Sequence, residues 1–125
     1  MERSYEGATL RTHPGQLGTV LRGDEPWRLV FNVTLCWMSP IGMSPRHVAQ
    51  PFTNVGVRLE LEGRVFFMFG PANCDEAWFG APDRFDVTRP GSNAHIAFVA
   101  GPHDCAGAAA SKALIAEVAL PVCWN

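Results

Sequence analysis

Lysine is almost missing from this chain. One residue, Lys112, stands beside nine arginines and twelve acidic residues, and the formal net charge is −2. A nucleic-acid binder would carry a basic excess gathered on one face, so that class of function is disfavoured. Long apolar runs are also missing: no stretch approaches the roughly 18 residues that a membrane-spanning helix needs. The opening Met1-Glu2-Arg3-Ser4-Tyr5-Glu6 has no apolar leader segment, so the expected location is cytoplasmic, with no membrane partner. No Cys-x-x-Cys pair occurs. Cys36, Cys74, Cys105 and Cys123 are widely spaced, which favours neither a zinc ribbon nor a disulfide framework. Three of them are expected to be buried free thiols.

Repeats, linkers and low-complexity tracts are absent too. With 125 residues, 47% of them hydrophobic and 18% charged, the chain is globular in composition and holds one domain's worth of core.

The first clear element is a helix opening near Asp24. Asp24 suits its cap, Pro26 an early position, and Trp27, Val30, Phe31, Thr34, Leu35 and Met38 follow helical spacing. Ser39-Pro40 stops it. Residues Asn54 to Leu61 alternate apolar and polar, as a half-buried strand does, and Val65 to Phe69 reads as a second, more buried strand. With Glu62-Gly63 as the turn between them, the two are expected to pair as a hairpin. The segment from Val87 to Gly101 reads as a loop. A last helix is expected from about Ala106 to Leu120, with Leu114, Ile115 and Val118 on its packing side.

Just before that helix runs Phe98-Val99-Ala100-Gly101-Pro102-His103-Asp104-Cys105-Ala106-Gly107. It places a cysteine at a helix N-terminus, where unpaired backbone N–H groups favour negative charge. Gly101 and Gly107 remove side chains on either side, as a flat group lying close to backbone requires. Cys105 suits an iron ligand, and the spacing points to haem. A metal half-site from His103, Cys105 and His95 is the formal alternative, though no second ligand pair has suitable spacing.

The decamer resembles the haem-ligand loop of the cytochrome P450 superfamily, Phe-Gly-x-Gly-x-(His or Arg)-x-Cys-x-Gly. Phe98, Gly101, His103, Cys105 and Gly107 match; Val99 replaces the first glycine. The resemblance extends in order along the chain. Leu10-Arg11-Thr12-His13-Pro14-Gly15-Gln16-Leu17 is similar to a stretch common in bacterial members. Ala72-Asn73-Cys74-Asp75, Pro82-Asp83-Arg84-Phe85-Asp86 and His95-Ile96-Ala97-Phe98 are similar to three further family segments.

The resemblance implies an α+β fold, a mainly helical fragment with a small β-hairpin or sheet, forming a single partial domain over residues 1–125. It implies haem b (iron-protoporphyrin IX) with Cys105 as the axial iron ligand, His103 and Arg46 toward the propionates, and Phe98, Gly101 and Gly107 shaping the loop. It implies monooxygenase-type oxidoreductase chemistry and a ferredoxin or flavoprotein electron donor. A catalytically silent accessory or protein-interaction module is the alternative.

Departures from the pattern carry equal weight. Val33 and Cys36 align with the family's paired glutamate and arginine, whereas Arg84 persists without them. A guanidinium left buried without its carboxylate is costly, so Arg84 is expected to be exposed or its surroundings repacked. Nothing resembles the family's distal helix with its acid–alcohol pair. The expectation is an incomplete site, weakly active alone, with apolar faces that drive self-association or capture of a complementary fragment.

Overall fold

A computed structural model describes residues 5–23 and 26–124; Asp24, the expected helix cap, lies outside them. The order is α1 (Tyr5–Thr12), α2 (Pro14–Leu21), α3 (Trp27–Met38), β1 (Met43–His47), β2 (Phe52–Asn54), β3 (Val57–Leu59), β4 (Arg64–Met68), α4 (Phe69–Asn73), α5 (Ala108–Lys112) and α6 (Leu120–Trp124). Short 3-10 turns at Ser92–Ala94 and Gly101–His103 lie in the long connection between α4 and α5, and a π-helical segment, Ala113–Ala119, joins α5 to α6. This is the expected mixed class, helical with small antiparallel sheets.

The centre of the packing is α3. Every residue from Val30 to Cys36 is buried, because the helix is covered on two sides. Val30 and Val33 pack with Leu10, Val20, Phe85, Val87 and Leu120, while Phe31 and Leu35 pack with Ala97 and Ala116. Thr34 is tolerated inside because its hydroxyl donates to the Val30 carbonyl at 2.8 Å. Pro26 takes an extended conformation at the cap position rather than inside the first turn. The helix stops where expected: Ser39 turns left-handed, φ 41°, and its N–H donates to the Leu35 carbonyl.

Strand pairing differs from the expectation. Residues 54–61 are not one strand: the chain reverses at Val55-Gly56, both with positive φ (47° and 77°), which is the backbone of a tight hairpin turn. That turn pairs β2 with β3, Thr53 opposite Arg58, and leaves Val55 94% exposed. β4 pairs instead with β1, a strand that the sequence reading missed, with Arg46 opposite Val65 and Ser44 opposite Phe67; it is mostly exposed rather than buried, because nothing among the described residues covers Phe66 and Phe67 fully. The Glu62-Gly63 corner stays a turn, with Gly63 N–H donating to the Glu60 carbonyl.

The terminal helix runs to Trp124, past the expected Leu120. Pro121 lies inside it, lacking an N–H and crowding the preceding turn, and the widened π segment ends just before it. Its packing side is corrected in part: Ile115 packs against the core as expected, with Ala116 and Leu120 buried beside it, whereas Leu114 and Val118 face solvent. Ala116 packs with Phe31 and Leu35, and Leu120 with Val30 and Val33, so both face α3. Among the described residues, no helix is long and apolar enough to cross a membrane.

Candidate functional site

The cysteine loop is pinned at its entry by a buried polar hub. Asn73, at the end of α4, is fully buried; its Nδ2 donates to Ser39 Oγ at 2.7 Å and its Oδ1 accepts from Ile96 N–H at 2.9 Å. The terminus of α3 and the lead-in to the loop therefore share one side chain. Two residues on, the Phe98 ring stacks on Phe31 at 6.1 Å and meets His95 at 5.8 Å. Burial, and next the charge of Lys112, hold the His95 pKa below the ordinary histidine value.

From Phe98 the chain turns outward and returns. Val99 N–H donates to the Ile96 carbonyl, Asp104 N–H to that of Gly101, and Cys105 N–H to that of Phe98, the last at 2.9 Å. Val99 and Gly101 both have positive φ, 65° and 82°. Everything from Ala100 to Gly107 is exposed. The thiol of Cys105 makes no hydrogen bond within the described residues, and a Cβ at Gly107 would sit 3.7 Å from its Sγ, filling the space beside the sulfur. Gly101 is needed for its conformation rather than for space, since an added Cβ would meet nothing.

Phe98, Gly101, His103, Cys105 and Gly107 thus share one loop, with His103 exposed in its 3-10 turn. Arg46 lies on β1. Its Nη1 donates to Ser44 Oγ at 2.6 Å and to the Pro45 carbonyl at 2.8 Å, and its guanidinium lies over the Phe67 ring. Among the described residues, no hydrogen bond or ion pair joins Arg46 to the loop.

The expectation for three buried thiols is corrected: only Cys36 is buried, while Cys74 and Cys123 are exposed along with Cys105. Burial raises the Cys36 thiol pKa, against the opposing pull of Arg89. Arg89 is a buried structural cation that sequence reasoning missed. It is 5% exposed, donates through Nη2 to the carbonyls of Ala81 and Arg84, and places Nη1 3.9 Å from Cys36 Sγ. Arg84 is exposed, as the loss of the aligned carboxylate led one to expect. An arginine thus still occupies the interior, supplied from a different position and satisfied by carbonyl groups.

No family model matches the chain. Cytochrome P450 144 of Mycobacterium tuberculosis is 37% identical over 103 residues, covering 82% of this chain and 24% of that protein. The structure of P450BioI in complex with an acylated acyl carrier protein superposes with a TM-score of 0.88 at 29% identity, over 96% of this chain and 31% of the other. The chain belongs to the cytochrome P450 family. Cytochrome P450 CYP109Q5 from Chondromyces apiculatus agrees, with a TM-score of 0.88 at 28% identity over 98% of this chain and 31% of its own. The chain spans between 22% and 31% of the length of such relatives.

Cytochromes P450 are haem proteins, and the donor set here suits that group. Cys105 offers one exposed, unpartnered sulfur on a loop held from behind by Phe98 and Asn73, with glycine on both sides. Among the described residues, no cluster of three or more histidines, cysteines or carboxylates offers a rival metal site. The larger cleft, 530 Å³, lies elsewhere, between His13, Gln16, Trp37 and Phe85.

Proposed function

We propose that residues 1–125 form a single partial P450 domain that carries the cysteine-bearing wall of a monooxygenase site and holds haem b through Cys105. The observation that carries this reading is the exposed, unpartnered thiol of Cys105 in a loop whose entry is anchored by Phe98 and Asn73. When bound, thiolate-ligated haem supplies dioxygen activation. The chain's own residues bind and orient. Cys105 donates its sulfur; Gly107 keeps a side chain away from it, Gly101 supplies the left-handed turn before it, and Phe98 supports the loop from the core. His103, exposed beside Cys105, and Arg46, whose present partners are neutral, supply positive or polar contacts for two propionates.

With Ala100–Gly107 open to solvent, the described residues offer one wall of a pocket, so little substrate-coupled oxygenation is expected from them alone. A ferredoxin or flavoprotein is the electron donor this reading implies. The second reading, a protein-interaction module, is favoured by the exposed apolar residues Met43, Phe66, Phe67 and Met68 of the β1–β4 sheet, which suit a complementary fragment or a second copy.

The test is an absorption spectrum of the chain with haem, reduced under carbon monoxide. The expected result is the red-shifted Soret band of thiolate ligation, lost in Cys105→Ala and kept in Cys36→Ala, Cys74→Ala and Cys123→Ala. His103→Ala and Arg46→Ala should each weaken haem binding by roughly 1–3 kcal/mol. A band indifferent to Cys105→Ala sinks the assignment.

A further inference from the structure

We propose that Val99 is a positioning residue for Cys105: its left-handed backbone makes the ligand-ready loop a strained state that the haem-free chain leaves for part of the time. The proposal rests on the haem reading above only for its consequence, not for its physics.

Val99 has φ 65°. A left-handed conformation brings Cβ against the backbone carbonyl, and a β-branched residue there is a marked outlier. Such a residue persists only where its surroundings over-determine it. The surroundings of two of the other four left-handed non-glycine residues, Ser39 and Val55, differ in a telling way. Ser39 is buried, and both its N–H and its Oγ reach the Leu35 carbonyl, so a helix end clamps it. Val55 forms the solvent-exposed tip of the β2–β3 hairpin, where relaxation moves nothing else of consequence. Val99 stands between an anchored residue, Phe98, and an exposed run, Ala100–Gly107, in which no burial opposes opening.

Downstream of Val99, the loop is closed by two hydrogen bonds, from Cys105 N–H to Phe98 and from Asp104 N–H to Gly101. If Val99 relaxes to an extended conformation, the chain leaves Phe98 in another direction and the Cys105 bond breaks. Strain of this kind is of a size that depopulates the closed loop by about tenfold. Apparent affinity for anything that needs the closed loop falls by the same fraction. Val99→Gly removes the clash, and Val99→Asn tolerates the left-handed region without glycine's freedom. Val55→Gly relieves a similar valine outside the cysteine loop, at the β2–β3 turn, and serves as the control.

The experiment follows amide hydrogen exchange of Cys105 in the haem-free full chain, then haem titration by Soret absorbance, for the wild type and these three variants. We expect Val99→Gly and Val99→Asn each to slow exchange at Cys105 and to tighten haem binding by factors whose product is about ten, roughly threefold in each, with Val55→Gly changing neither. Exchange at Cys105 that is unchanged or faster in both Val99 variants overturns the proposal. A haem spectrum indifferent to Cys105→Ala overturns the haem reading instead, and the exchange series in the haem-free chain still decides what Val99 does.

Discussion

Two groups of phenylalanine stand on opposite terms with water in this molecule. Phe31, on α3, is 1% exposed between Leu35, Ala97 and Ala116, whereas Phe66 and Phe67, on β4, are 50% and 54% exposed. The first group has its partners within the chain; the second lies on a two-stranded sheet that nothing described here covers. Apolar content alone therefore says little about what holds the fold. Stability resides around α3, and the sheet leaves its aromatic rings exposed.

The largest effect should separate these two regions. Phe31→Ala removes a buried ring and its stacking on Phe98, at a cost of about 3–5 kcal/mol in urea denaturation. Combined Phe66→Ser and Phe67→Ser should cost less than about 1 kcal/mol and should lower self-association in sedimentation across a concentration series. Equal destabilisation by both would break the comparison and place the sheet in the core.

A smaller effect sharpens the same contrast within the arginines. Arg89→Ala leaves the carbonyls of Ala81 and Arg84 without their donor and should cost about 1–3 kcal/mol, while Arg84→Ala should stay within about 0.5 kcal/mol. Urea midpoints of the two variants check this, and a reversed order would restore Arg84 to the interior role that the family pattern gives it.

The smallest effect is one of pH. Burial first, and Lys112 second, hold the His95 pKa below its ordinary value, so the folded state binds fewer protons than the unfolded one through the mildly acidic range. Its contribution is fully present above the ordinary histidine pKa of about 6.5 and is lost as pH falls below it. Urea midpoints at pH 8 and pH 5.5 should differ more in the wild type than in His95→Asn. A variant that falls as steeply would show that His95 does not set this dependence.

Legibility from sequence followed the range of the forces involved. The body and end of α3 were readable because helical spacing and the Ser39-Pro40 stop are local. The cysteine loop was readable because its residues are contiguous. The strand partners were not: alternation from Asn54 to Leu61 looked like one strand, and only the Val55-Gly56 dipeptide hinted that the chain reverses there. Arg89 was missed because Arg84, five residues earlier, carries the same charge, and no local pattern separates an arginine that finds two carbonyl groups from one that finds water.

By itself the sequence determined α3 and most of the terminal helix, the family and the set of groups at the loop, since each depends on residue type at short spacing; α1 and α2, which bring Leu10 and Val20 to the core, were not read from it. Tertiary structure alone decided that β4 pairs with β1 and that Arg89 replaces Arg84 inside. It also decided that Ala116 and Leu120, rather than Leu114 and Val118, face α3 from the terminal helix, and that Val99 must sit in a glycine's conformation. These outcomes depend on which distant surfaces meet, and a chain reveals that only once loop closure and burial have been weighed together in three dimensions.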